Sequence, residues 1–168
     1  MRIGVLLIFL TFSSLLVSGI SGCKTEQITG CGTNFDCFIE ASKTCTPAKL
    51  TNTQTIEVFG MIGTGTSEMA IKGMEGNNCL YYTKTLSNSV KFGDEFIQEM
   101  LASGATQEEI SQQEQVANEN AQWSVGKDST CKYPIADLVK MLKGAKQGDF
   151  SYSSDDVTKY QCTGTMYE

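Results

Sequence analysis

The chain has 168 residues, of which 13 are basic and 19 are acidic, and its formal net charge is −6. This acidic balance, without a basic cluster, argues against nucleic-acid binding. Histidine is absent from the sequence, which excludes Ser-His-Asp and Cys-His catalytic mechanisms. There is also no Cys-x-x-Cys pair, so we expect neither a metal site nor a cofactor.

The first residues have the pattern of a secretory signal peptide. Arg2 precedes an apolar run over residues 3–16, and small residues follow it. An uncleaved transmembrane helix is the alternative, because a span needs about 20 apolar residues. The hydroxyl residues at positions 11, 13, 14 and 18 and the small residues before Cys23 favour the signal peptide.

The end of this segment, "ISGC", consists of Ile20, Ser21, Gly22 and Cys23. It resembles the lipobox of prokaryotic lipoproteins, and the resemblance covers only the first 23 residues. It implies cleavage before Cys23 and attachment of diacylglycerol to the Cys23 thiol. The mature protein is then held on the extracytoplasmic side of a cell-envelope membrane by its lipid, since two acyl chains anchor far more firmly than one. An ordinary cleaved signal and an uncleaved anchor are the alternatives.

Removing residues 1–22 from the 168 leaves 146, about the size of one domain. We therefore divide the chain into a signal peptide (1–22), a lipidated tether (23–30) and a single domain (31–168). Seven cysteines are an odd number for an exported protein, and assigning Cys23 to lipid leaves six. We predict three disulfides among Cys31, Cys37, Cys45, Cys79, Cys131 and Cys162.

A helix is predicted where "TNFDCFIEASKTCTPAK" places Phe38, Ala41 and Cys45 three and four residues apart. Thr33 and Asp36 approximate a capping box at its start. If Cys37 and Cys45 share this helix, they lie about 12 Å apart and exceed the roughly 7 Å that a bridge allows. A disulfide between these two is excluded, and the other pairings stay open.

Residues 50–90 are rich in Thr, Val, Ile, Tyr and Phe, which is typical of strands. We predict three strands near residues 53–62, 66–73 and 78–91. The turns are expected at the glycines of residues 63–65 and at residues 76–77. Short connections between successive strands predict an antiparallel meander.

The second half of the chain predicts three further helices and a strand. One helix follows Gly93 and stops at Gly104, and the next begins at the capping box formed by Thr106 and Glu109. The second helix carries few apolar residues, so we interpret its Glu and Gln as an exposed face rather than a binding device. A strand is expected over residues 125–133 with Cys131 inward, and then a helix from Pro134 to just before Gly144. Residues 150–168 fit either a short helix or a strand.

Together these elements predict an α+β fold. Its core is a small antiparallel sheet of three to five strands, covered on one face by helices and stapled by disulfides.

Candidate site residues are few. Trp123, between a polar helix and a strand, is the one residue we nominate for ligand contact, although a core position is the favoured interpretation. Phe59, Tyr81 and Tyr82 would form a recognition patch if they were exposed together, but aromatics in strands usually pack. Three carboxylate pairs are nominal catalytic candidates: Asp36 with Glu40, Asp94 with Glu95, and Asp155 with Asp156. Acidic groups at helix starts are better explained by the helix dipole, so no catalytic residue is assigned.

The sequence thus predicts a lipid-anchored extracytoplasmic module that binds an envelope protein or a small extracellular ligand without catalysis. The alternatives are an assembly or chaperone-like factor for other envelope components and, less favoured, a small carboxylate-dependent hydrolase. An exposed apolar patch would favour a binding partner. Two carboxylates converging in a concave pocket would favour the enzyme.

Overall fold

The computed structural model of the protein describes residues 28–149 and 160–167. These residues form an α+β fold around one six-stranded sheet with the order β1-β2-β3-β4-β5-β6. The strands are β1 (Thr29–Gly32), β2 (Ala48–Val58), β3 (Met61–Glu75), β4 (Asn78–Phe92), β5 (Asp128–Tyr133) and β6 (Gln161–Thr163). The α+β prediction is confirmed, whereas the strand number of three to five was too low.

The sheet is mixed rather than purely antiparallel. The short strand β1 runs parallel to β2, and every other neighbouring pair is antiparallel. Strand β1 was not predicted, and β6 lies in the segment that fitted either a helix or a strand, because strands of three or four residues are too short to show an alternating pattern.

Four α-helices accompany the sheet: α1 (Phe35–Lys43), α2 (Asp94–Ala102), α3 (Gln107–Ala121) and α4 (Ile135–Lys146). The capping box of α3 forms as predicted, with Thr106 and Glu109 bonding reciprocally. For α1 the predicted cap was wrong, because the Asn34 side chain accepts the bond from the Cys37 N–H. Helix α4 continues past Gly144, where we had expected it to stop.

The hairpin that joins β2 and β3 turns at Phe59 and Gly60, not at the glycines 63–65. Both turn residues have positive φ, +51° and +74°, as a two-residue type I′ turn requires. Gly63 lies within β3 instead, where the Ile56 side chain passes over it. The turn therefore lies about four residues earlier than predicted: β2 ends at Val58 rather than near residue 62, and β3 begins at Met61 rather than near residue 66. The second predicted turn, at Gly76 and Asn77, is confirmed.

We call the end of the sheet where β2 begins at Ala48 the proximal end, and the end with the Phe59–Gly60 turn the distal end. Helices α1 and α4 pack on one face of the proximal end and enclose the main core. The fully buried side chains there include Phe38, Leu50, Ile71, Leu138 and Leu142.

Three disulfides fasten this proximal end. They join Cys31 to Cys37, Cys45 to Cys79, and Cys131 to Cys162. The predicted use of all six cysteines is confirmed, as is the exclusion of a bridge between Cys37 and Cys45. Cys45 itself lies just beyond α1 with a φ of +51°, so the helix ends earlier than we expected.

The C-terminal strand of the described residues pairs with β5. Of residues 150–168, positions 161–163 form strand β6, and a short 3₁₀ helix follows at Thr165–Tyr167. The Asp128 carboxylate accepts hydrogen bonds from the Thr165 hydroxyl (2.8 Å) and N–H (3.2 Å). These bonds hold the final turn against the start of β5.

Candidate functional site

The structure separates the residues that the sequence analysis nominated. Cys23, the lipobox and the predicted signal peptide lie outside the described residues. Trp123 is 60% exposed, so the favoured core position was wrong. Its ring faces the Lys127 ammonium, with Nζ 4.4 Å from the ring centroid, and its role in ligand contact stays a prediction.

Phe59, Tyr81 and Tyr82 do not form one patch. Tyr81 is buried against the rings of Phe38 and Tyr133, and this burial raises the pKa of its hydroxyl. Tyr82 lies on the opposite face of the sheet, because neighbouring residues in a strand alternate. Phe59 lies at the distal turn and is 87% exposed.

The nominated carboxylates likewise remain apart. Asp36 pairs with Lys146 at 2.6 Å, whereas Glu40 pairs with Lys43 on its own helix. Asp94 and Glu95 occupy the first turn of α2, as the dipole interpretation predicts. Asp155 and Asp156 lie outside the described residues.

The most distinctive surface is at the distal end of the sheet. Val58, Met61 and Phe92 are direct partners across β2, β3 and β4, so their side chains share one face. Ile56 lies one row closer to the core on the same face. We name this surface, with Val116 of α3, the distal patch: Ile56, Val58, Met61, Phe92 and Val116.

The distal patch continues the face that α1 and α4 cover at the proximal end, since Leu50 and Val58 are an even number of residues apart. Four of its five members are exposed large hydrophobic residues, and Phe92 is half-buried. Contiguous apolar surface of this kind is typical of binding sites.

A groove of about 480 Å³ lies between α3 and the distal ends of β3 and β4. Its lining combines the apolar residues Met61, Phe92, Val116 and Ala117 with the polar residues Glu109, Gln112, Gln113 and Asn120. The α3 residues recur at three- and four-residue spacing, so they belong to one face of the helix.

A second face of α3 binds the edge of β4. Beyond Lys84, β4 has no pairing with β5, and side chains of α3 and the residue after it bond to its backbone. The Phe92 N–H donates to Glu114 (2.7 Å) and the Val90 N–H donates to Asn118 (3.1 Å), while the Gln122 amide donates to the Asn88 carbonyl.

We call these three hydrogen bonds the polar ladder. They form because the rise of the helix over four residues nearly equals the rise of the strand over two. Four helical residues rise about 6.0 Å, and two strand residues rise about 6.6–6.8 Å. Positions 114, 118 and 122 therefore lie opposite positions 92, 90 and 88 of β4, respectively, and each pair is close enough for a hydrogen bond. Our interpretation of the polar residues of α3 as only an exposed face was incomplete, because these three cover a sheet edge.

Phe59 at the distal turn has an unfavourable backbone conformation. A bulky residue with positive φ is rare, and the left-handed region costs about 1–2 kcal/mol for a non-glycine residue. Gly60 is required beside it, because an added Cβ would lie 2.6 Å from the Cβ of Phe96 in α2. The turn thus presents an aromatic ring to solvent in a conformation that asparagine or glycine adopts more easily.

The helices α2 and α3 beside the distal patch are strongly acidic. Residues 93–126 contain seven acidic and no basic residues. Glu109, which lines the groove, has a lowered pKa because the N–H and hydroxyl of Thr106 donate to its carboxylate. It is therefore ionised at neutral pH.

Comparison with known proteins gives no family for this chain. No protein-family model matches it, and neither curated proteins nor solved structures yield a match. Within residues 28–149 and 160–167, no helix has the length and hydropathy that crossing a membrane requires. The same residues hold no cluster of three or more potential metal ligands.

Proposed function

We propose that this protein is a lipid-anchored extracytoplasmic lipoprotein whose domain serves as a non-catalytic binding module of the cell envelope. The lipobox resemblance at residues 20–23 supports the anchor. The cysteine count supports it independently, because three disulfides use six of the seven cysteines and the seventh is Cys23.

One observation carries the binding role: the chain enters the domain at one end, and the distal patch lies at the other. Strand β1 starts at Thr29 beside Ala48, the first residue of β2. From Ala48 to Val58, β2 covers about 34 Å at 3.4 Å per residue. Six residue steps separate Cys23 from Thr29, and they span at most about 22 Å. A lipid on Cys23 would therefore hold the proximal end near the membrane and direct the distal patch away from it.

The residues that line the groove, which includes part of the distal patch, fit a binding site better than a hydrolase active site. Its lining includes one carboxylate, Glu109, which is engaged with Thr106 in the capping box. Carboxylate-dependent glycoside hydrolysis needs two such groups flanking the scissile bond. A lining that mixes apolar and uncharged polar residues is instead the usual composition of a protein-binding surface.

The anchor is tested by measuring the intact mass of protein from native membranes, with and without reduction. We expect a diacylglyceryl adduct on a chain that begins at Cys23 and a gain of six protons on reduction. The Cys23→Ser variant should be released from the membrane. Retention of that variant on the membrane, or free thiols in place of the bridges, would contradict the proposal.

A further inference from the structure

The distal patch combines an apolar surface with a one-sided charge. After removal of residues 1–22, the chain carries 12 basic and 19 acidic residues. Seven of the acidic residues lie between positions 93 and 126, so the rest of the mature chain is balanced at 12 of each sign. The whole net charge of the mature protein thus belongs to the segment that contains α2 and α3.

We propose that the distal patch binds a cationic amphipathic segment of a partner protein. This inference rests on the proposed function, since it names the partner class of the same binding module. Apolar side chains of the segment would cover Val58, Met61 and Val116, and its Lys or Arg side chains would meet Glu109 and the other acidic residues of α2 and α3. Complementary charge of this kind steers association and excludes other partners.

The groove sets the length of segment that it can hold. Its α3 wall runs from Glu109 to Asn120, which is about 16 Å at 1.5 Å per residue. That length accommodates about three turns of helix or five residues of extended chain. Glu109 lies at one end of this wall and is ionised, so a basic side chain of the segment would pair with it there.

Phe59 would add a contact for the segment at the distal turn. It follows Val58 directly and is 87% exposed at the outermost turn of the sheet. Exposed aromatic residues often contribute most to binding at protein interfaces. A favourable contact with a partner would account for an aromatic residue at a position that prefers asparagine or glycine.

Two other occupants fit the surface less well. A second copy of this chain would bring two segments with seven acidic residues each into contact, and these would repel. A lipid surface rich in anionic headgroups would be repelled for the same reason. The anchor geometry also directs the distal patch away from the membrane.

The test measures binding of synthetic peptides to the full chain reconstituted in uncharged phosphatidylcholine vesicles. The probe is a labelled peptide of about 14 residues with leucines on one helical face and lysines on the other. A scrambled peptide of the same composition and a peptide with glutamates in place of lysines are the controls. We expect fluorescence anisotropy to show binding of the cationic amphipathic peptide alone, above a blank of empty vesicles. The affinity should decrease between about 50 and 300 mM salt, because salt screens exposed charges.

Two variants and one control locate the site. Val116→Gln should weaken binding about tenfold, whereas the control Leu86→Gln, which changes another exposed apolar residue outside the distal patch, should leave the affinity unchanged. Phe59→Asn should weaken binding while the midpoint of thermal unfolding stays the same or rises, because asparagine tolerates positive φ. A loss of affinity in this variant cannot then be attributed to unfolding.

Several outcomes would overturn the inference. Equal binding of the scrambled peptide, or no effect of Val116→Gln, would mean that the distal patch does not select the segment. A concentration-dependent dimer that Val116→Gln abolishes would assign the surface to a second copy, and recruitment to anionic vesicles through the same residue would assign it to lipid. In each case the anchoring measured with Cys23→Ser is unaffected, so failure of this inference and failure of the proposed anchor are distinguishable.

Discussion

The two ends of the sheet differ in how they are stabilised. At the proximal end, two helices enclose a continuous core and three disulfides join its elements. At the distal end, α2 buries no residue fully and α3 buries only Ile110 among its described side chains. The distal strands are held together by backbone pairing and by the polar ladder between α3 and β4.

This difference indicates a division of roles between the two ends. Apolar burial and covalent links supply most of the stability of a small disulfide-bonded domain, and both are concentrated at the proximal end. Regions with few buried contacts open locally at lower free energy than the core. The distal end can therefore keep apolar residues exposed while the proximal end maintains the fold.

The largest expected effect comes from removing the bridge between Cys45 and Cys79. This bridge closes a loop of 34 residues, and the chain-entropy model gives it about 4 kcal/mol. We expect the double variant Cys45→Ala/Cys79→Ala to lose this amount in the free energy of unfolding, measured by urea denaturation.

The bridge between Cys31 and Cys37 provides the matched comparison. Its sequence separation is only six residues, so the same model gives it about 2 kcal/mol. Equal losses in Cys45→Ala/Cys79→Ala and in Cys31→Ala/Cys37→Ala would contradict the loop-length argument. They would indicate that strain or packing determines the contribution of each bridge.

Ile110 of α3 is 1% exposed and lies outside the main core cluster. Truncation of a buried isoleucine to alanine costs about 2–5 kcal/mol. For Ile110→Ala we expect this loss to appear as faster hydrogen exchange throughout α3, while amides near Leu138 and Leu142 remain protected. Loss of protection at both ends together would show that the domain unfolds as a single unit.

The features of the fold that could be predicted are those with local chemical signatures. The capping box of Thr106 and Glu109 and the inward position of Cys131 were both confirmed. A cap or an alternating pattern depends on residues close in sequence, so one sequence suffices to recognise it.

The features that could not be predicted depend on contacts distant in sequence. Gly63 and Gly65 suggested a turn, but register with β2 and β4 places them within a strand. The actual turn has Phe59 where Asn or Gly is usual, so no turn signal was present. The spacing of positions 114, 118 and 122 is visible in the sequence. That these positions bond to the edge of β4 could not be predicted, because the packing of α3 beside β4 depends on contacts distant in sequence.

A smaller effect should follow from interrupting the polar ladder at Asn118. Its side chain accepts from the Val90 N–H, and one hydrogen bond contributes about 0.5–1.5 kcal/mol. We expect Asn118→Ala to accelerate hydrogen exchange at Val90 with little change in global stability. Glu119→Ala, which changes a neighbouring exposed residue of α3, serves as the control. Equal exchange at Val90 in both variants would show that the ladder does not protect this edge.

The smallest expected effect is a dependence on pH that differs between the two regions. The folded-state pKa of Glu109 is lowered by the Thr106 N–H and hydroxyl, and that of Asp128 is lowered by the Thr165 hydroxyl and N–H. A lowered folded-state pKa gives stability that is present above the unfolded pKa, about 4, and is lost as pH falls through the folded value. Glu109→Gln retains a side chain that can cap α3 but does not titrate, so acid should lower the protection factors of the α3 amides, relative to their intrinsic exchange rates, less in this variant than in the natural chain. Asp128→Asn should leave the pH response of α3 unchanged and reduce that of the turn at residues 165–167. If both substitutions change the acid response of α3 equally, the two ends are coupled more tightly than their separate stabilisation implies.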